Sequence, residues 1–442
     1  MSSIRVPQGS TVSLDKVEGD LHVSKNATVK AKDSQIMVSG AIRCEGDCTF
    51  DCSVSALSLR GRNCEIAVTG DLSIERSIIV DDGSLNVDGS LTAREVEVDR
   101  KLNVGRDLTA NNIRVGRTLK IGGNTKAENV NVGGKFEAQG NVNIKDLDVG
   151  GKAKVNGSIT GSSLNVGGAF HGKGIVKVDD INVGGVFHAE SEVFSEDLDV
   201  GGNAKIAGGE IRGKIDVGGA FYSSKPLTFK SIDVGGSVKL TGTCKGEEID
   251  VGGALKVEGD LTFGEIDVGG AVNISGNAEG GEIDVGGKLK VKGNLRLSGS
   301  LKVGGVAKIN ERLEAESIDV GGKLRARHID ALTSVNVGGE IATEEGVKAE
   351  TVQIGRKGRI RGVVVAKEVN LKEKSDAEDI YADTLIMREE AIARNIYAKR
   401  IYLERFCRIA GEIQYTDELK SEENVYFAIE PKKVSSLPAP PI

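Results

Sequence analysis

Ile249-Asp-Val-Gly-Gly-Ala-Leu-Lys-Val-Glu-Gly-Asp-Leu-Thr-Phe-Gly-Glu265 contains the fold in one unit. Apolar and polar residues alternate in three pairs, Ile249/Val251, Leu255/Val257 and Leu261/Phe263, the period-two pattern of half-buried strands. The pairs start six, six and five residues apart, and Gly-containing corners such as Gly252-Gly253 and Gly259 separate them. A helix is excluded, because the apolar residues recur at i, i+2 and glycine falls where a helix would be interrupted. The unit reads as one triangular coil of three very short strands.

The same unit repeats on both sides. Val-Gly-Gly stands at Val132, Val149, Val166, Val183, Val200, Val217, Val234, Val251, Val268 and Val285, each 17 residues after the last. One 18-residue step leads to Val303, after which Val320, Val337 and Ile354 resume the 17-residue period. Upstream, Val115 and Val98 keep the period with Gly-Arg and Asp-Arg in place of Gly-Gly. A single coil cannot bury its inward side chains, whereas stacking at the ~4.8 Å strand spacing closes a continuous apolar core. The expected fold is therefore all-β, a single long parallel β-helix (solenoid) with about 17 residues per coil. Roughly 24 coils at that spacing would make a rod about 110 Å long. Corner glycines are expected to supply positive φ without a Cβ clash.

Moving outward, residues 1–9 form an N-terminal segment and 10–97 carry irregular coils, as in Leu21-His-Val23, Leu72-Ser-Ile74 and Leu85-Asn-Val87. The regular repeat covers 98–354. Over 355–416 the Gly-Gly corner disappears and the period contracts to 16, seen in Val369-Asn-Leu371, Leu385-Ile-Met387 and Ile401-Tyr-Leu403. Residues 417–442, charged and then Pro-rich through Leu437-Pro-Ala-Pro-Pro-Ile442, read as a partly disordered tail and a candidate recognition peptide for other proteins.

The bulk composition agrees: 60 glycines, six prolines, no tryptophan and 4% aromatic residues fit neither a helical bundle nor Pro-rich disorder. A net charge of -7 over 58 basic and 65 acidic side chains gives no global pull toward nucleic acid or an anionic membrane. The sequence shows neither a leader pattern nor an apolar run approaching the roughly 20 residues that span a bilayer, so a cytoplasmic location is expected. Residues 1–9 offer no amphipathic stretch, and membrane association is not indicated.

Cys44, Cys48, Cys52 and Cys64 lack the paired short spacings of a structural zinc site, and the nearby His22 is isolated; reduced thiols acting as small apolar fillers are expected. His171 and His188 stand 17 apart beside Phe170 and Phe187, without a third metal ligand in the sequence around them. With no phosphate-binding loop, no clustered His–carboxylate pair and no long insertion in the central repeat, we expect no enzyme activity, catalytic residues, cofactor or metal.

The 16-residue units at Ala366-Lys-Glu-Val-Asn-Leu371, Ala382-Asp-Thr-Leu-Ile-Met387 and Ala398-Lys-Arg-Ile-Tyr-Leu403, closing with Ile409-Ala-Gly-Glu-Ile413, resemble the bactofilin, or polymer-forming cytoskeletal, family. The resemblance is strongest over about residues 355–416. It implies a right-handed triangular β-helix that polymerises end to end without nucleotide in the cytoplasm of prokaryotes. This chain departs from the common form in its length and its Val-Gly-Gly middle.

Positions 17 apart form ladders. Asp199, Asp216, Asp233, Asp250, Asp267 and Asp284 make an acidic row; past the Gly-Gly corner, Lys205, Lys239, Lys256 and Lys290 belong to a basic one. Both are candidates for lateral contact between copies, the acidic face of one docking on the basic face of another. Tyr381, Tyr397 and Tyr402 are candidate exposed aromatics. Phe406, Ile409, Ile413 and Tyr415 are expected to leave an apolar end face suited to end-to-end contact with a second copy. The function expected is a filament or scaffold subunit; the alternative is a monomeric rod that binds or adheres to a polymeric ligand or partner protein.

Overall fold

The computed structural model describes residues 3–442. Among them the regular structure is all strand, in a parallel β-solenoid of about 25 turns with ~17 residues per turn. The chain divides into two compact units, residues 1–224 and 225–442.

In the second unit the three apolar pairs of the quoted coil become three ladders. Ile249 pairs in register with Ile266 and that with Ile283; Leu255 leads to Val272 and Leu289; Leu261 leads to Ala278 and Leu295. All of these side chains are buried. In the first unit Leu102, Leu119 and Phe136 stack in the same way. Its early coils are longer, which is why their alternation looked degraded: Leu21 pairs with Ile42, 21 residues on, and Leu59 with Ile78, 19 residues on. Full burial of a Leu, Ile or Phe contributes about 1.5–3 kcal/mol, so the inward rows supply most of the driving force.

At the Val-Gly-Gly corners the glycines are needed for a different reason from the one expected, which Gly259 does meet. Positive φ occurs at Gly242 and Gly259 but at none of the Val-Gly-Gly corners. A Cβ on Gly270 would lie 2.2 Å from the carbonyl oxygen of Gly253, and one on Gly253 2.3 Å from that of Gly236. Glycine is required because each corner rests directly on the corner of the preceding coil, so a side chain would drive the coils apart.

A second corner is held by side chains. Asn277 N–H donates to Asp260 Oδ1 at 2.7 Å, and Asn294 N–H to Asn277 Oδ1 at 2.9 Å. In the first unit the series Asp107, Asn124, Asn141, Ser158 does the same at 2.7 to 2.9 Å. Each short polar side chain satisfies a corner amide that no strand partner reaches.

Both ends differ from expectation. Ile4–Val6, inside the segment set apart as 1–9, is a strand paired with Leu21–Val23. At the other end strand pairing continues past 416: Ile413–Ser421 lies along the preceding coil, Tyr426–Phe427 pairs with Arg408–Ile409, and Lys432–Lys433 with Gln414–Tyr415. Backbone pairing does not need the apolar alternation whose loss marked the supposed tail. Ile442 then lies against the second unit, its Cδ1 2.6 Å from where a Gly346 Cβ would sit.

Candidate interaction surfaces

Among the described residues the strands of the first coil pair with the coil that follows. Ile4–Val6 pairs with Leu21–Val23, Thr11–Leu14 with Thr28–Ala31, and Lys16–Val17 with Met37–Val38. Val6 and Val17 are buried, whereas the apolar side chains of Ile4, Val12 and Leu14 are only half-covered. This coil therefore offers a row of backbone donors and acceptors together with a partly covered apolar surface.

The residues expected to form the opposite end face do not do so. Ile409 and Ile413 are buried in the core, because the pairings beyond 416 cover them. Tyr415 is half-buried beneath Lys433. Phe406 is 46% exposed, but it occupies a left-handed corner at φ 62°.

Along the coils the acidic row forms as read. Asp199 pairs with Asp216 in the first unit; Asp233, Asp250, Asp267 and Asp284 stack in the second. A parallel row, Glu248, Glu265 and Glu282, lies two residues earlier on the same outward side. Its 17-residue spacing was visible in the sequence and not singled out. Lys214 reaches Asp216 at 2.9 Å, and the hydroxyls of Ser231 and Ser300 donate to Glu248 and Glu282 at 3.4 and 3.3 Å.

The basic row is less uniform. Lys239 and Lys256 stack and both reach Glu258, at 3.1 and 2.6 Å, and the bonds from Lys256 and then Lys239 hold its carboxyl below the usual carboxylate range. Asn273 then interrupts before Lys290, which stacks on Lys308. In the first unit Lys205 lies beside Tyr222, its Nζ 5.6 Å from the ring centroid.

Tyr381, Tyr397 and Tyr402 face outward but are half-buried, a correction to the expected exposure. The Tyr381 and Tyr397 rings stack at 4.7 Å, so each covers one face of the other. Tyr402 donates to Glu418 at 3.0 Å.

His171 and His188 stack at 4.9 Å, and His171 Nε2 lies 2.7 Å from Glu190. Burial, then His171, then Lys205 hold His188 below the usual histidine range. Among the described residues no group of three or more His, Cys, Asp or Glu is arranged to hold a metal ion.

The cysteines are reduced and buried, and the coils sort the early ones. Cys44, Cys48 and Cys64 meet at one inner corner, with Cys48 Sγ 3.0 Å from Cys44 Sγ. Cys52 stands apart, 3.9 Å from the Val29 carbonyl. Unequal coil lengths hid this grouping from counting.

Among the described residues no helix is long and apolar enough to cross a membrane. No protein family, curated protein or solved structure matches this chain.

Proposed function

We propose that this chain is a structural protein, the subunit of a nucleotide-independent cytoplasmic filament or scaffold that assembles end to end through its terminal coils, in the manner of the bactofilins and with their right-handed triangular coil. The observation that supports this best is the first coil, whose strands, among the described residues, pair with the following coil while Ile4, Val12 and Leu14 stay half-covered. A strand edge of this kind is a template for a further strand, and one more coil would satisfy its amides and complete its burial. The acidic and basic rows add a lateral contact between copies, with matching ~4.8 Å repeats.

The closing of the C-terminal coils favours a second reading, a monomeric binding scaffold. Ile409 and Ile413 are covered, and the last residues return to Gly346.

Negative-stain electron microscopy of the purified chain without nucleotide, at physiological and at high salt, separates the two. Filaments that Leu14→Glu abolishes, with the circular dichroism melt unchanged, are the expected result. Isolated particles at every concentration would sink the filament reading. Bundles that persist unchanged in high salt would sink the lateral contact.

A further inference from the structure

We propose that Cys44 and Cys48 are a redox-modification site, an inward-facing dithiol that small hydroperoxides convert to an intrachain disulfide. Four observations point there, and the first is distance. The two sulfurs are 3.0 Å apart, about 1 Å longer than a disulfide bond.

The second is local geometry. Cys44 is the last residue but one of the strand Ala27–Glu45 and Cys48 opens the strand Cys48–Arg62, with Gly46 between them at φ 120°. The corner folds the chain back so that both side chains point into the core.

The third is the contrast with the other thiols. Cys52, Cys244 and Cys407 each direct S–H toward backbone carbonyls, of Val29, Thr241 and Met387 or Arg388, as a thiol that merely fills space would. Cys48 directs its S–H at another sulfur.

The fourth is the next coil. Gly61 pairs in register with Cys44, and the Cys64 sulfur occupies the space that a side chain on Gly61 would fill, 2.6 Å from the ideal Cβ position. Glycine at 61 thus keeps room for a third sulfur against the pair.

The chemistry balances with one peroxide. A thiolate of the pair attacks the peroxide, its O–O bond breaks, and a sulfenic acid forms as water or an alcohol leaves. The second thiol attacks that sulfur and displaces water. Two thiols lose two electrons and two protons, and the peroxide is reduced. Both sulfurs are nearly closed to solvent, at 5% and 3% exposure of their residues, so the reaction is slow and follows local opening of the coil.

The test uses the full-length reduced protein treated with hydrogen peroxide, quenched with catalase, then unfolded in iodoacetamide and weighed. Two of the six thiols are expected to escape alkylation, with a mass about 2 Da below that of reduced protein once the alkyl groups are accounted for, reversed by dithiothreitol. Cleavage before Asp47 and Asp51 separates Cys44, Cys48 and Cys52, so mapping the wild-type peptides assigns the bond whether or not any variant folds. In Cys48→Ala every remaining thiol should alkylate after peroxide. Full alkylation of the wild type, a bond to Cys52 or Cys64, a bond between two chains, or irreversible oxidation of single thiols would each overturn the proposal.

Discussion

Two stretches of the second unit build the same coil by different means. Between Val234 and Ile354 the strands are mostly short and the corner is Gly-Gly, shaped by contact with the coil before it. From Ile354 onward the strands run long, as in Arg359–Leu371, Asp376–Met387 and Ile392–Leu403. Here one corner of each coil is a tight turn closed by a non-glycine residue in the left-handed region: Lys357, Lys374, Glu390, Phe406 and Asn424, at φ 58° to 62°. Ser375, Ala391 and Cys407, each the residue after such a turn, are buried. One region removes a side chain so that coils can touch; the other accepts strained backbone and keeps its side chains.

Those side chains are put to use. Arg394 makes a two-pronged bond to Asp379 at 2.9 and 2.6 Å, Arg405 reaches Glu389 at 3.0 Å, and Arg388 and Glu404 pair closely, each tying one coil to the next. The Val-Gly-Gly stretch has coil-to-coil ion pairs of its own, such as Arg296–Glu314 at 2.7 Å and Lys323–Glu340 at 3.0 Å, and in addition carries stacked carboxylates on its first strand.

If the two regions share one kind of core, Leu289→Ala and Leu385→Ala should be equally damaging. Each is expected to cost about 2–5 kcal/mol in chemical denaturation. A several-fold difference between them would break the equivalence.

The corners should respond oppositely. Gly270→Val, whose Cβ would lie 2.2 Å from the Gly253 oxygen, is expected to cost about 3 kcal/mol. Lys374→Gly should gain up to about 1 kcal/mol, the relief of a left-handed residue less the added freedom of the unfolded chain. A matching loss at Lys374 would show that both corners need the same thing.

The smallest effect is electrostatic and has a direction in pH. The Arg394 guanidinium, and after it the Asn395 amide, hold Asp379 below its usual range. A depressed carboxyl contributes stability above its unfolded value, near ~3.9, and that contribution is lost as pH falls through the folded value. Arg394→Ala should remove about 1 kcal/mol at neutral pH, and its melting temperature should fall less than that of wild type on acidification. Parallel pH profiles for the two proteins would refute the assignment.

The coil period, the three strands and the inward rows were legible because alternation and spacing are written into one coil. What was hidden depends on neighbours in space. The clash that fixes Gly270 involves a residue 17 positions away, so counting glycines found the corners and missed their cause. Ile409 and Ile413 looked terminal because Ile413–Ser421 pairs without an apolar alternation to announce it. Tyr381 and Tyr397 looked exposed because their cover is each other. The meeting of Cys44 and Cys48 rests on a corner in a 21-residue coil, where the 17-residue rule gives no guidance.

The corner ladders also have a sense of time. From Asp107 to Ser158, and from Asp260 to Asn294, every side-chain acceptor belongs to the coil synthesised earlier and every amide it serves to the coil synthesised later. At three C-terminal corners the sense reverses: Gly362, Glu389 and Arg405 donate their amides to Glu378, Glu404 and Glu422, which follow them, while Glu412 still donates to the earlier Asn395. Along the ladders a coil leaving the ribosome meets its acceptor already in place, while each of those three corners is completed only by the chain that comes after it.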